Sequence, residues 1–410
     1  MNILLIGNGF DLAHRLPTTY KDFLLFIEVM KQVVNVTTTD DLNRIDWKNI
    51  NLEICELIQS DMGNVKNNIY SQADTWKELI ENNFWIEYCL CCQSYIKENW
   101  IDFENEISKV IQAFSECIKK IDINDQASRN INNPFLNDFF MSDTEKIEND
   151  RLMEMEEEIK KSNLQLSISE WSKYKEAYDK KHPLQTLPPI TYKEIIKRLE
   201  NDLNKLILAL EIYLADYVDK IDVREKSPDI IKIINDEVNT CIHDKEECIC
   251  ISFNYTHTFS RVYGIEINDF IHGEARANRT KAFNNMILGI DEYLDDDRKN
   301  IELDFISYKK YYQRIYKETG DLSKRHADRI KENKDRYTLY IFGHSLDVTD
   351  KDILSALIKN DNVRTYIYYH DDTTHKKLIA NLVKVLGEDE VIKRTGGKTK
   401  TISFIKQQNF

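Results

Sequence analysis

Glycine and proline are scarce: the 410 residues include 11 Gly and 6 Pro, each well under half the usual roughly 7% and 5%. So few turn formers and helix breakers imply a helix-rich chain. No apolar run approaches the roughly 18 residues of a membrane span. The N-terminal apolar run, Ile3 to Ile6, has no basic residue before it and no cleavage-like site after it. The expectation is a cytoplasmic protein with no signal peptide and no membrane partner. Basic residues are outnumbered, 56 against 70 acidic, a formal charge of −14, which repels a phosphate backbone over most of the surface. That disfavours a dedicated nucleic-acid binder. Apolar residues at 42% and aromatics at 10% exclude a disordered chain, and the length suggests two or three structural units.

Eight cysteines (55, 89, 91, 92, 117, 241, 248 and 250) stand inside apolar or aromatic runs. A disulfide scaffold spaces its cysteines through loops, so these are read as reduced thiols. Cys241, His243, Cys248 and Cys250 have zinc-ligand chemistry, but Cys248 and Cys250 alternate with Ile249 and Ile251 as in a buried strand. No metal is expected. There is no fixed-period repeat.

All six prolines precede residue 229, and eight of the glycines follow residue 240. Between Gly9 and Gly264 only Gly63 remains, and this middle carries helical spacing: Phe23, Phe26, Ile27, Met30; Ile107, Ile111, Phe114, Ile118; Leu199, Leu203, Leu206, Leu210, Tyr213. Within it, the charged stretch Ser142 to Ser162 and the proline-broken His182 to Pro189 read as exposed excursions. The ends differ. Short apolar runs at Asn2 to Ile6, Cys248 to Phe253, Asp269 to Ile271, Thr338 to Phe342, Arg364 to Tyr369 and Thr401 to Ile405 have the length of strands buried on both faces. Helical patterns such as Ile353 to Ile358 and Lys376 to Val385 separate them. The expected fold is α/β: a Rossmann-like parallel sheet from residues 1–20 plus 240–410, with a helical insertion at 21–239.

Four strand ends carry candidate chemistry. Ile3 to Ile6 runs into Gly7-Asn8-Gly9-Phe10-Asp11, where glycines would let backbone N–H groups approach an anionic or ribose-bearing ligand. Position 12 is leucine rather than the third glycine of a dehydrogenase fingerprint, so hydride chemistry is disfavoured. Phe253-Asn254-Tyr255-Thr256 places an amide where it can orient a hydroxyl or a water; Thr256 or Thr258 would equally serve as a helix cap. Ile271-His272-Gly273 delivers a histidine suited to proton transfer near neutral pH. Gly343-His344-Ser345-Leu346-Asp347 lacks the final glycine of a serine-hydrolase elbow. Thr349 to Asp352 has capping-box spacing, which assigns Asp350 and Asp352 to the helix start.

These motifs, taken in order with Leu16-Pro17-Thr18-Thr19-Tyr20, Trp100 to Glu104 and Leu288 to Asp291, closely resemble the AbiH family of bacterial abortive-infection proteins. That family is in turn similar to the sirtuin-like NAD-binding fold. The resemblance implies an anti-phage protein that binds NAD or a related nucleotide, with Gly7, Asn8 and Gly9 as its glycine turn, Gly343 and Ser345 as its late ribose-side turn, Asn254 as its strand-end asparagine and His272 as its catalytic histidine. Phe10, Thr256, His344 and Asp347 in the same motifs are read as further binding residues, and Asn254 and Asp11 as catalytic candidates beside His272. Asp11 stands where sirtuins carry a small or hydroxyl residue, and zinc-binding pairs of Cys-x-x-Cys motifs are missing, so deacetylation is not implied. The expected reaction is cleavage of the nicotinamide–ribose bond, with Asn254 positioning ribose or water and His272 accepting a proton. Asp11 would either stabilise positive charge at the sugar or hold the loop through backbone N–H groups. The expected partners are a nucleotide, a phage-derived trigger and further copies of the chain.

The alternative is a nucleotide sensor, or a nucleic-acid-binding or cleaving effector without NAD hydrolysis. Its best segment is Tyr308 to Lys317, continued by Lys324, Arg325 and the run from Arg329 to Arg336, where cations interleave with aromatics. The plainer reading is a solvated basic face with its tyrosines turned inward.

Overall fold

The computed structural model describes residues 2–35, 45–47, 50–64, 69–92, 100–120, 192–240, 249–277, 284–291, 294, 303–332 and 336–408. Six strands, β1 (Asn2–Ile6), β2 (Ile249–Ser252), β3 (Asp269–Phe270), β4 (Tyr337–Phe342), β5 (Val363–Tyr369) and β6 (Ile402–Lys406), form one sheet in the order β3-β2-β1-β4-β5-β6. Every pairing is parallel. All six match apolar runs of the sequence to within a residue or two. The 3-2-1-4-5-6 order is that of doubly wound nucleotide-binding sheets, and it puts the topological switch between β1 and β4.

Alternate side chains of the strands bury opposite faces. Ile3, Leu5, Ile251, Leu339, Ile341 and Ile367 pack against the helices Asp321–Glu332, Lys351–Ile358 and Asp372–Leu386, through residues such as Ile330, Leu354 and Leu382. Leu4, Ile6, Cys250 and Phe342 pack against Phe10, Ile230, Ile233 and Phe259 from the helices Asn8–Ala13, Pro228–Thr240 and Thr258–Tyr263. Helices on both faces explain why the strands read as continuous apolar runs.

The chain divides into two compact units, Met1–Val110 with Asp202–Phe410, and Ile111–Asn201. The first holds the sheet and also the helices Tyr20–Val33, Ile69–Ile80 and Phe84–Cys92. In it, Phe26 meets Trp76 and Tyr213 with ring centroids 5.4 and 4.8 Å apart, and the Tyr213 hydroxyl donates to the Pro17 carbonyl at 2.6 Å. In the second unit the described residues belong to the helices Trp100–Lys120 and Tyr192–Ile212. The stretches Ser142 to Ser162 and His182 to Pro189, with Cys241, His243 and Cys248, lie outside the described residues. Among the described residues no helix is long and apolar enough to cross a membrane.

The segment 308–317 is organised in the reverse of the sequence expectation. Tyr308, Lys309, Lys310 and Arg314 are buried, whereas Ile315 and Tyr316 are 68% and 74% exposed. Lys309, Lys310 and Arg314 face inward while Tyr311, Ile315 and Tyr316 are exposed, so it is not a basic face, and of its tyrosines only Tyr308 is buried.

Candidate functional site

The carboxyl ends of β1 to β5 border a cavity of about 1130 Å³. Asn8, Asp11, Asn254, Thr256, His272, His344, Ser345 and Asp347 line it, with Gly7, Gly9 and Gly343. The structure thus brings eleven of the twelve sequence candidates to one wall. The twelfth, Phe10, is fully buried between Phe259, Tyr263 and Phe342, where it joins helix to sheet and leaves the cavity lining to its neighbours.

The three glycines are explained by each other. Gly343 has φ +70°, and a Cβ there would overlap the backbone nitrogen of Phe10. A Cβ on Gly7 would lie 2.6 Å from the His344 Cα, and one on Gly9 2.8 Å from the Gly343 Cα. The turns after β1 and β4 therefore interlock backbone to backbone. The Gly7 N–H donates to the Phe342 carbonyl at 3.1 Å, the Gly9 N–H to Gly343 at 2.8 Å, and the Phe10 N–H to Gly7 at 2.8 Å. Those amides, expected to face a ligand, are used in holding the turn.

Asp11 is buried beside them. Its Oδ2 accepts from the Thr256 hydroxyl at 2.6 Å and from Asn254 Nδ2 at 3.2 Å, while Nδ2 also donates to the Gly7 carbonyl at 3.0 Å. Side chains, not loop amides, hold this carboxylate. Thr256 is spent on Asp11, and His257 takes the cap position of the helix Thr258–Tyr263 without a side-chain bond, which corrects the capping expectation. Burial raises the Asp11 pKa to about 7, against the lowering effect of the threonine hydroxyls. Asp11 Oδ1 and Asn254 Oδ1 are buried without a partner.

At the end of β3, His272 lies with Nε2 3.1 Å from Asp350 Oδ1, and Nδ1 is buried without a partner. The contact is an ion-pair distance and not a formed hydrogen bond, since Asp350 Oδ1 is also without a hydrogen-bond partner; a ring proton on Nε2, toward that carboxylate, would leave the Nδ1 lone pair as the basic site. Burial lowers the His272 pKa to about 4, the nearby Asp350 charge opposing the shift. The imidazole is therefore neutral at physiological pH. His344 approaches the other carboxylate oxygen, its Nε2 3.6 Å from Oδ2, and accepts the Leu346 N–H on Nδ1 at 2.9 Å.

Asp350 stands at the start of the helix Lys351–Ile358, as the capping-box spacing predicts, but the expected capping role is corrected. It makes no side-chain cap there; Asp347 accepts the Thr349 N–H at 3.1 Å, and the half-exposed Asp352 pairs with Arg314 at 2.5 Å. Asp350 is instead buried on the cavity wall, 3.7 Å from Lys310 Nζ, which is 2.9 Å from Glu104 Oε1. Burial alone would neutralise Asp350, but Lys310 and the two imidazoles hold its pKa well below the carboxylate range. Burial also opposes the Lys310 charge, and Asp350 with Glu104 outweighs it, raising the lysine pKa. Burial lifts Glu104 to about 7 in spite of Lys310. An ammonium thus fills the centre of this cluster, and among the described residues no three His, Cys, Asp or Glu side chains are grouped to hold a metal ion. Asp350, Lys310 and Glu104 line the cavity with the candidates and were not singled out as site residues in the sequence. Only the Trp100 to Glu104 motif marked one of them.

The family model for bacteriophage abortive infection AbiH matches residues 3–369, which takes in every lining residue of the β1 to β4 ends. The chain belongs to the AbiH family. Its role is thereby abortive-infection defence against bacteriophage. No curated protein and no solved structure matches this AbiH chain.

Proposed function

We propose that this AbiH protein acts on NAD or a related nucleotide during infection, cleaving its N-glycosidic bond with the side chains at the carboxyl edge of the sheet. The observation that carries the reading is His272: a buried, neutral imidazole with an unpartnered Nδ1 on the wall of a large cavity, backed by an ionised Asp350. The order of the glycine turn, Asn254, His272 and Gly343 with Ser345 on successive strand ends supports a sirtuin-like nucleotide site. The volume also suits a ligand of dinucleotide size. Such a reaction builds positive charge on the sugar carbon as the bond to the base lengthens. His272 would take a proton at Nδ1 from the attacking water or a sugar hydroxyl, and Asp350 would stabilise the imidazolium that results. Asn254, its amide fixed by two bonds, would orient the hydroxyl or water. Asp11, bonded to Asn254, is a carboxyl group whose pKa burial raises to about 7.

Glu104 and Leu214, from the chain between β1 and β2, also line the cavity. We infer that the chain between β1 and β2 carries the response to a phage-derived trigger. Purified protein incubated with NAD, with and without lysate of infected cells, should release nicotinamide and ADP-ribose, and His272→Ala and Asn254→Ala should not. Retention of NAD under both conditions would leave nucleotide sensing as the reading.

A further inference from the structure

We propose that Asp11 and Asn254 form a subsite for a neutral ligand group presenting hydrogen-bond donors, a sugar diol, and that the glycine turn beside them is not a phosphate cradle. The inference rests on the cavity being a ligand site, not on turnover.

A phosphate-binding turn offers free backbone N–H groups. Here the amides of Gly7, Gly9 and Phe10 all donate to carbonyls of the protein. The unpartnered side-chain atoms beside the turn have the opposite polarity. Both Asn254 Nδ2 hydrogens are used, on the Gly7 carbonyl and on Asp11 Oδ2, so its remaining Oδ1 can only accept. Asp11 Oδ2 already takes two donors, leaving Oδ1. Both Oδ1 atoms are buried and lack a partner, and both residues line the cavity. A buried acceptor without a donor is costly, so such atoms mark where a donor belongs. At this point of the wall an anion would meet a carboxyl group and an amide oxygen, both acceptors. Two neighbouring hydroxyls satisfy both oxygens without a charge.

The test uses the sign of one isosteric change. In Asp11→Asn the two donors at Oδ2 require an oxygen there, so the new NH2 takes the place of Oδ1 and turns the acceptor into a donor. Calorimetric titration of the full chain with ADP-ribose should show affinity falling by about tenfold or more in Asp11→Asn. Inorganic pyrophosphate is the opposing probe, since an anion seated at the turn would bind more tightly once the carboxylate is gone. ADP-ribose binding that is unchanged or tighter in Asp11→Asn overturns the proposal while keeping a nucleotide site. If ADP-ribose does not bind but millimolar D-ribose does, and Asp11→Asn abolishes it, the subsite stands and the nucleotide reading falls. No binding of either sugar overturns both. Should Asp11→Asn not fold, as judged by its melting transition, Asn254→Ala removes the second acceptor and must give the same loss.

Discussion

At the scale of single residues, Asp350 separates function from architecture. Its carboxylate serves His272 on one side and Lys310 on the other. Asp350→Asn keeps the shape and removes the charge, leaving the buried lysine with Glu104 alone, at a cost on the order of 3 kcal/mol. Turnover by the folded protein should fall by about 100-fold or more, because the imidazolium loses its counter-charge. A purely structural aspartate would lower the melting temperature and leave the turnover of the folded fraction unchanged; measuring both decides. A second residue makes a pH prediction. His257 lies 2.8 Å from Glu274 and 3.5 Å from Asp219, and these partners, Asp219 first, raise its pKa to about 9 against the effect of burial. The folded state then holds a proton that the unfolded state, titrating near 6.5, has released. Its stabilisation is complete below about pH 6.5 and is lost as pH rises through about 9. The melting temperature of His257→Gln should fall below wild type at pH 6 and converge with it by pH 10. A constant gap across that range would refute the pair's role.

Elements tell a different story, since the turns after β1 and β4 act as one unit. Gly343→Ala places a Cβ against the Phe10 amide at φ +70°, so it should destabilise the fold by on the order of 3 kcal/mol, read as a lowered urea midpoint. The strands were legible because β1, β4 and β5 are apolar on both faces over five to seven residues, a pattern that polar loops and amphipathic helices do not give. Asn254 and His272 were legible as polar side chains delivered at the ends of such runs. Asp350 and Lys310 were not, because each begins a helix and carries the local pattern of an exposed polar start. Their meeting depends on long-range packing that local spacing does not encode. The helix Lys310–Tyr316 misled for the same reason. Its buried Lys310 and Arg314 answer Glu104, Asp350 and Asp352 elsewhere in the fold. With those cations turned inward, single-stranded RNA or DNA should show no salt-dependent anisotropy change on addition of the protein at physiological ionic strength. A steep salt slope, reduced by Lys324→Ala with Arg325→Ala, would restore the nucleic-acid alternative.

For the whole molecule, one cavity is shared by two parts of the sequence that composition separates. Four strand ends supply His272, Asn254, the glycine turns and Asp350, while Glu104 and Leu214 come from the helical stretch between β1 and β2. Glu104 touches the reacting end through Lys310, so a shift of its helix would unbalance the charges that hold Asp350 ionised and His272 oriented. That gives the AbiH role a physical requirement. If the site cleaves a nucleotide as proposed, it must be inactive in a growing cell and completed on infection, when loss of a shared nucleotide would stop host and phage together. In cells carrying the wild-type chain, NAD should therefore fall after infection and before lysis, with plaque numbers reduced. His272→Ala should keep NAD level and restore plaques, whereas His257→Gln, at a residue that is not part of the cavity lining, should still protect. Protection by His272→Ala with NAD undisturbed would mean that this family member defends by another chemistry, and that the buried imidazole serves packing against Phe253 rather than proton transfer.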